Sequence, residues 1–174
     1  MFSKVQSMFS YLFEVFTVEN QEIDFDKSLL WIINSDKTPP HIGISENSKF
    51  YSLKATGKDN AIFTSDIFLL LKKKDIEFVL VELAPNAIVK NIESVYLTYS
   101  KAIPSKISCI SPILNCFNLD EPMLLYDLIN YLNSKELINS INVFNFHREK
   151  LGLGIYGEKD VVLEIEKLQG AKRK

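Results

Sequence analysis

The fold is decided by the stretch LLWII at residues 29–33 and by the stretch HIGIS at residues 41–45, which follows two prolines. Short apolar runs bounded by turn-forming residues are typical of buried strands. Polar residues 46–48 then predict a hairpin turn, and the aromatic and aliphatic residues of 49–55 predict a returning strand. Three consecutive antiparallel strands are therefore expected.

The other elements are predicted outward from these strands by hydrophobic periodicity and by end signals. Helices are expected over 66–74, 87–102 and 121–133, strands over 76–83 and 141–146, and either type over 161–168. The strand over 76–83 has little polar surface, so it should be central in the sheet. The predicted fold class is α+β, with an antiparallel sheet of about four to six strands packed against helices.

Residues 1–18 carry apolar side chains at helical spacing and predict an amphipathic N-terminal helix. Its apolar residues are Phe2, Val5, Phe9, Leu12, Phe13 and Phe16. Such a face must be buried against the protein's own body, a partner subunit or a membrane surface. The first is favoured, and a homo-oligomer formed through residues 1–18 is the alternative. The chain is expected to be a single domain over 1–174.

Composition and charge exclude several function classes. The net charge of −2 lacks the basic excess that binds phosphates, so no nucleic-acid partner is expected. No apolar run is long enough to span a membrane and no signal-peptide pattern is present, which favours a cytoplasmic location. Two cysteines supply neither a disulfide framework nor a four-cysteine zinc site. Residues 152–157 read GxGxxG but lack a following βαβ unit, so no dinucleotide cofactor is expected. With so few soft ligands, no metal is expected either.

The candidate catalytic residues are Cys116, His41 and Ser52. A thiol nucleophile needs a nearby imidazole to favour its thiolate, and the imidazole needs a polar group to orient it. Such partners meet in space rather than along the chain. Cys109 with His147 is an alternative pair. Alternatively, Cys116 is an ordinary core residue, because it lies among apolar neighbours at 113–119.

Residues 28–120 resemble the circularly permuted papain-like proteins, which include the lecithin–retinol acyltransferase type and bacterial cell-wall amidase and peptidase relatives. His41-Ile42-Gly43-Ile44 is similar to the strand that carries the family's histidine. Residues 47–53 are similar to the returning strand, and residues 87–102 to the helix before the nucleophile. Asn115-Cys116-Phe117 is similar to the Asn-Cys that opens the nucleophile helix.

The resemblance implies a papain-like core over 28–133 and a C-terminal extension over 134–174. By position, Cys116 would be the nucleophile, His41 the base and Ser52 the group that orients His41. The expected activity is hydrolysis or acyl transfer on an amide or ester of a peptide, lipid or small molecule. A catalytically inactive member of the fold, or an unrelated α+β protein, acting as a binding module is the alternative.

Overall fold

The computed structural model describes residues 8–171, and a seven-stranded sheet forms their centre. The strands are β1 Phe9–Leu12, β2 Thr17–Val18, β3 Leu29–Ile33, β4 His41–Glu46, β5 Lys49–Lys54, β6 Gly57–Phe63, β7 Phe78–Leu83, β8 Ile138–Phe144 and β9 Gly152–Gly154. The helices are α1 Thr64–Lys73, α2 Ile92–Leu97, α3 Ser111–Cys116, α4 Leu125–Ser134 and α5 Glu158–Gly170.

The strand order of the main sheet is β2-β8-β7-β3-β4-β5-β6. Its pairs are antiparallel except for β2, which runs parallel to β8. The α+β class and the consecutive β3, β4 and β5 strands are thus confirmed, and β7 lies inside the sheet as expected. The sheet has one strand more than the upper expectation of six, because both of its edge strands, β2 and β6, are unexpected.

The two faces of the sheet bury different side chains, since successive residues of a strand point to opposite faces. We call the first face the large core; it packs Leu30, Ile32, Ile42, Ile44, Val79 and Val81 against α2, α3 and α4. We call the second face the aromatic core; it packs Trp31, Phe50, Phe78 and Phe144 against Phe68 and Leu71 of α1. The sheet is therefore covered on both sides, and all five residues of β3 are buried.

The predicted N-terminal helix is wrong for the residues that the structure describes, and residues 1–7 lie outside them. β1 pairs with β9, and β2 pairs with β8. The ring of Phe9 lies directly over Gly152, where a Cβ atom would come within 2.6 Å of it. Pairing with a strand 140 or so residues away therefore overrides the local helical period. The apolar helix face proposed for oligomerisation does not form over 8–18.

Two predicted helices are shorter than expected. Within 87–102 only α2 is helical, because the Asn91 side chain accepts a hydrogen bond from Ser94 N and starts the helix there. Within 121–133 the helix α4 begins at Leu125, after Pro122. Leu124 N donates to the carboxylate of Asp127, so this acid rather than Asp120 stabilises the helix start. The predicted helix over 66–74 is confirmed as α1.

The predicted boundary at 133/134 cuts through the main sheet, because β8 lies between β2 and β7. The ambiguous segment 161–168 is helical and belongs to α5. Ile165 of this helix packs with Ala55 and Ala102 in a small third cluster. None of the helices within residues 8–171 has the length and hydropathy of a membrane span.

Candidate functional site

Cys116 lies at the end of a helix, in the large core. It is the last residue of α3 and is 0 % exposed. Its carbonyl oxygen accepts hydrogen bonds from Val89 N at 2.9 Å and Lys90 N at 3.0 Å, so its backbone connects α3 to the segment before α2. The resemblance implies a cysteine that opens a helix, where the positive end of the dipole favours a thiolate. Cys116 has the opposite placement.

The surroundings of Cys116 favour the neutral thiol. Burial, and to a smaller extent the nearby Glu46 carboxylate, raise the pKa of Cys116, while Lys90 lowers it; the net result is a pKa of about 12. A thiol with such a pKa is almost wholly protonated near neutral pH, so it is a poor nucleophile. These features fit the alternative in which Cys116 is a core residue.

His41 is the first residue of β4, and its side chain points toward the aromatic core. It lies opposite Ile33 in the β3–β4 pair, and Ile33 belongs to the aromatic core. The Nε2 atom is buried and has no hydrogen-bond partner, although the residue as a whole is only partly buried. Burial lowers the pKa of His41 to about 4; Asp59 raises it and Lys54 lowers it by smaller amounts. The imidazole is therefore neutral near pH 7.

The structure does not bring His41 and Cys116 together. Opposite residues of paired strands share a face. His41 lies on the face of the aromatic core, whereas Cys116 belongs to the large core on the other face. The sheet itself therefore separates the imidazole from the thiol. Ser52 does lie on the same face as His41, because it is paired with Gly43, two residues further along β4.

Ser52 is hydrogen-bonded to Asp59, which was not predicted from the sequence. Its hydroxyl donates to Asp59 Oδ2 at 2.7 Å, and Lys54 Nζ donates to Asp59 Oδ1 at 2.5 Å. Ser52 itself is 0 % exposed, so its hydroxyl is not accessible to a substrate. The signal that could have found Asp59 is the opposite charge of Lys54 and Asp59 on either side of a short turn ending at Gly57.

The alternative pair, Cys109 and His147, has separate surroundings. His147 Nε2 lies 3.2 Å from Asp75 Oδ1 at the surface. Cys109 packs against the large core. Burial raises the pKa of Cys109, and the Ile42 N–H, as a hydrogen-bond donor to the thiol, lowers it by less.

A polar cleft of about 530 Å³ lies where β3 begins and β4 and β7 end. Its carboxylates already have partners. Lys27 pairs with Glu82 at 2.8 Å, and the Ser28 hydroxyl donates to Glu46 at 2.7 Å. Within residues 8–171 no group of three or more His, Cys, Asp or Glu side chains could hold a metal ion.

An apolar groove of about 550 Å³ lies beside α5, and we call it the α5 groove. Residues 158–165 of α5 form one wall, and the segments 103–111 and 122–124, with Leu114 of α3, form the other. Its apolar lining includes Ile107, Ile110, Leu114, Met123, Val162 and Leu163. The volume lies in the range of about 300–1,000 Å³ that is typical of ligand sites.

Hydrogen bonds hold α5 to the body near its two ends. In its C-terminal half, Gln169 Nε2 donates to the carbonyl oxygens of Ala55 at 2.8 Å and Ala102 at 3.1 Å. Just before the helix, the buried Tyr156 hydroxyl accepts a hydrogen bond from Leu125 N at 3.4 Å. Ile165 is the one buried residue of α5. Val161 and Ile165 pack inward, against the large core and the third cluster, while Leu163 stays exposed beside the groove.

Comparisons with protein-family models, with curated proteins and with solved structures found no match for this chain. The papain-like resemblance of residues 28–120 accordingly stays a prediction from the sequence.

Proposed function

We propose that this chain is a binding module, and that the α5 groove is the surface that receives its partner. The observation that carries the proposal is the groove itself: an open apolar concavity of about 550 Å³ next to a helix with one buried residue. Apolar concavities with a few polar groups at their rim are the usual form of binding sites.

The surroundings of the predicted catalytic residues support binding rather than catalysis. Cys116 is buried with a raised pKa, and His41 lies on the other face of the sheet. Neither residue lines the α5 groove. The cysteine hydrolase remains a prediction from the sequence, and alkylation of the cysteines tests it.

Binding of the neutral dye Nile red tests the proposed function, because its emission shifts to the blue in an apolar environment. Leu163 lines the groove and is 62 % exposed, so Leu163→Glu changes the site without disturbing the core. We expect this variant to bind the dye about tenfold more weakly, which corresponds to about 1.4 kcal/mol and is part of the value of burying one leucine.

The matched control is Leu69→Glu. Leu69 is 63 % exposed on α1 and does not line the groove, so the same substitution there should leave dye binding unchanged. Thermal unfolding of both variants establishes that each is folded. Absence of dye binding to the unmodified protein, or equal weakening in the two variants, would overturn the proposal.

A further inference from the structure

We infer that the partner in the α5 groove is an amphipathic helix of another protein, with acidic residues beside its apolar stripe. This inference rests on the proposed binding function and specifies the chemistry of the partner. Amphipathic helices commonly bind apolar grooves through residues spaced at i, i+3, i+4 and i+7. The charges and the exposed rim of the groove favour such a helix over a small apolar molecule.

The charges at the α5 groove favour an acidic partner. Lys106 and Lys159 line it, against the single carboxylate of Glu158. Within residues 8–171, neither Lys106 nor Lys159 has a carboxylate within 4.0 Å. The lysines that form ion pairs there are Lys27, Lys54, Lys72 and Lys167. Unpaired cations at the rim of an interface attract opposite charge on the partner and select against like charge.

The rim of the groove favours a partner wider than a single acyl chain. Ile103 on one wall is 39 % exposed, and Leu163 on the other is 62 % exposed. A molecule confined to the floor would leave both side chains in water. A helix is about 10–12 Å across with its side chains, so it presents more apolar surface to the two walls than a single acyl chain does. Burial of these two side chains adds to its affinity.

The serines of the second wall suit the same partner. Ser105 and Ser108 line the groove next to Lys106 and Ile107, so polar and apolar side chains both face it along this segment. A helix with one apolar stripe and a polar flank would place its apolar side chains against the apolar residues of this wall and its polar side chains against the polar ones. The Ser111 hydroxyl is already occupied, since it accepts a hydrogen bond from Ser108 N at 2.9 Å.

The test uses two synthetic helical peptides of about 18 residues, roughly five turns, with the same leucine stripe. One carries glutamates beside the stripe, and the other carries lysines at the same positions. Each is labelled with a fluorophore, and its binding to the full chain is followed by anisotropy at about 50 mM salt, where surface charges are weakly screened. We expect the glutamate peptide to bind about tenfold more tightly, the sum of two exposed charge contacts.

Charge reversal at the groove provides the decisive comparison. The double variant Lys106→Glu/Lys159→Glu should reverse the preference, so that the lysine peptide binds more tightly. The control Lys73→Glu/Lys74→Glu changes the net charge equally at exposed lysines outside the groove and should retain the preference for the glutamate peptide. Raising the salt should reduce the difference between the peptides.

Failure of this inference can be distinguished from failure of the proposed function. If Nile red binds in the groove but the two peptides bind equally, or neither binds, the acidic-helix partner is overturned while the groove remains a binding site. Displacement of Nile red by palmitate, without peptide binding, would assign the site to an acyl chain instead. A reversal of preference in the Lys73/Lys74 control would show that the net charge, not the groove, selects the peptide.

Discussion

Replacing His41 should make folding less sensitive to acid, because the imidazole is buried without a partner for Nε2. Burial lowers the pKa of His41 from 6.5 to about 4 in the folded protein. Between these values the unfolded chain binds more protons than the folded chain, so the free energy of unfolding falls as the pH falls. Each pKa unit corresponds to about 1.36 kcal/mol, which gives a total loss of about 3 kcal/mol below pH 4.

Most of this loss falls in an accessible range. The same linkage gives roughly 2 kcal/mol of lost stability between about pH 7 and pH 5. The assay is urea unfolding at a series of pH values, followed by the fluorescence of Trp31, which is 0 % exposed in the folded protein. Carboxylates that titrate in this range contribute equally to wild type and variant, so their difference isolates His41.

The perturbation is His41→Gln, which keeps a polar side chain and removes the titration. The difference in unfolding free energy between wild type and variant should change by about 2 kcal/mol over this range. His147→Gln is the matched control, since it removes the chain's other histidine from an exposed position beside Asp75. If wild type and His41→Gln instead lose stability in parallel as the pH falls, His41 does not link folding to pH.

Three further predictions concern the cysteine, a buried ion pair and a crowded glycine. Cys116, buried and with a pKa raised to about 12, should react with iodoacetamide only as fast as the protein unfolds; rapid labelling near neutral pH, located by mass spectrometry, would restore the hydrolase hypothesis. Glu77→Gln should lower the urea-unfolding free energy by about 2–3 kcal/mol, because Arg148 at 2.6 Å loses its buried carboxylate partner; a change under about 0.5 kcal/mol would contradict this. Gly43→Ala should cost about 1–3 kcal/mol, since its Cβ would lie 2.4 Å from the Phe50 ring; an unchanged melting temperature would mean that the ring moves freely.

The strands around 29–54 could be predicted because their signals are local. All five residues of 29–33 are buried, which matches an uninterrupted apolar run, and Asn47 and Ser48 form the turn between β4 and β5 with positive φ angles. The start of α4 could not be predicted from the same rules. Asp120 and Pro122 resemble a helix start, but Asp127 provides the hydrogen bond that begins the helix.

The structure of residues 9–18 could not be predicted because it depends on distant glycines. The spacing of Phe9, Leu12, Phe13 and Phe16 fits a helix as well as it fits a pair of short strands. The choice is made by β9, where Gly152 leaves room for the Phe9 ring and lets the two strands approach. No residue within 9–18 indicates that this segment pairs with β9.

The positions of the candidate catalytic residues relative to one another could not be predicted from the sequence either. Alternation along β4 places His41 and Ile42 on opposite faces, but both faces of this sheet are apolar and covered by helices. The sequence therefore does not indicate which face receives α3 and its Cys116. The α5 groove could not be predicted either, because residues 161–168, which form part of its wall, fit a strand as well as a helix.

Amide chemical-shift mapping by NMR with the glutamate peptide tests most directly whether the α5 groove is the binding surface. The largest shifts should fall on residues 103–111, 122–124 and 158–165, which form the walls of the groove. Shifts centred on His41 and Asp59, or on Lys27 and Glu82 in the polar cleft, would place binding elsewhere and contradict this prediction.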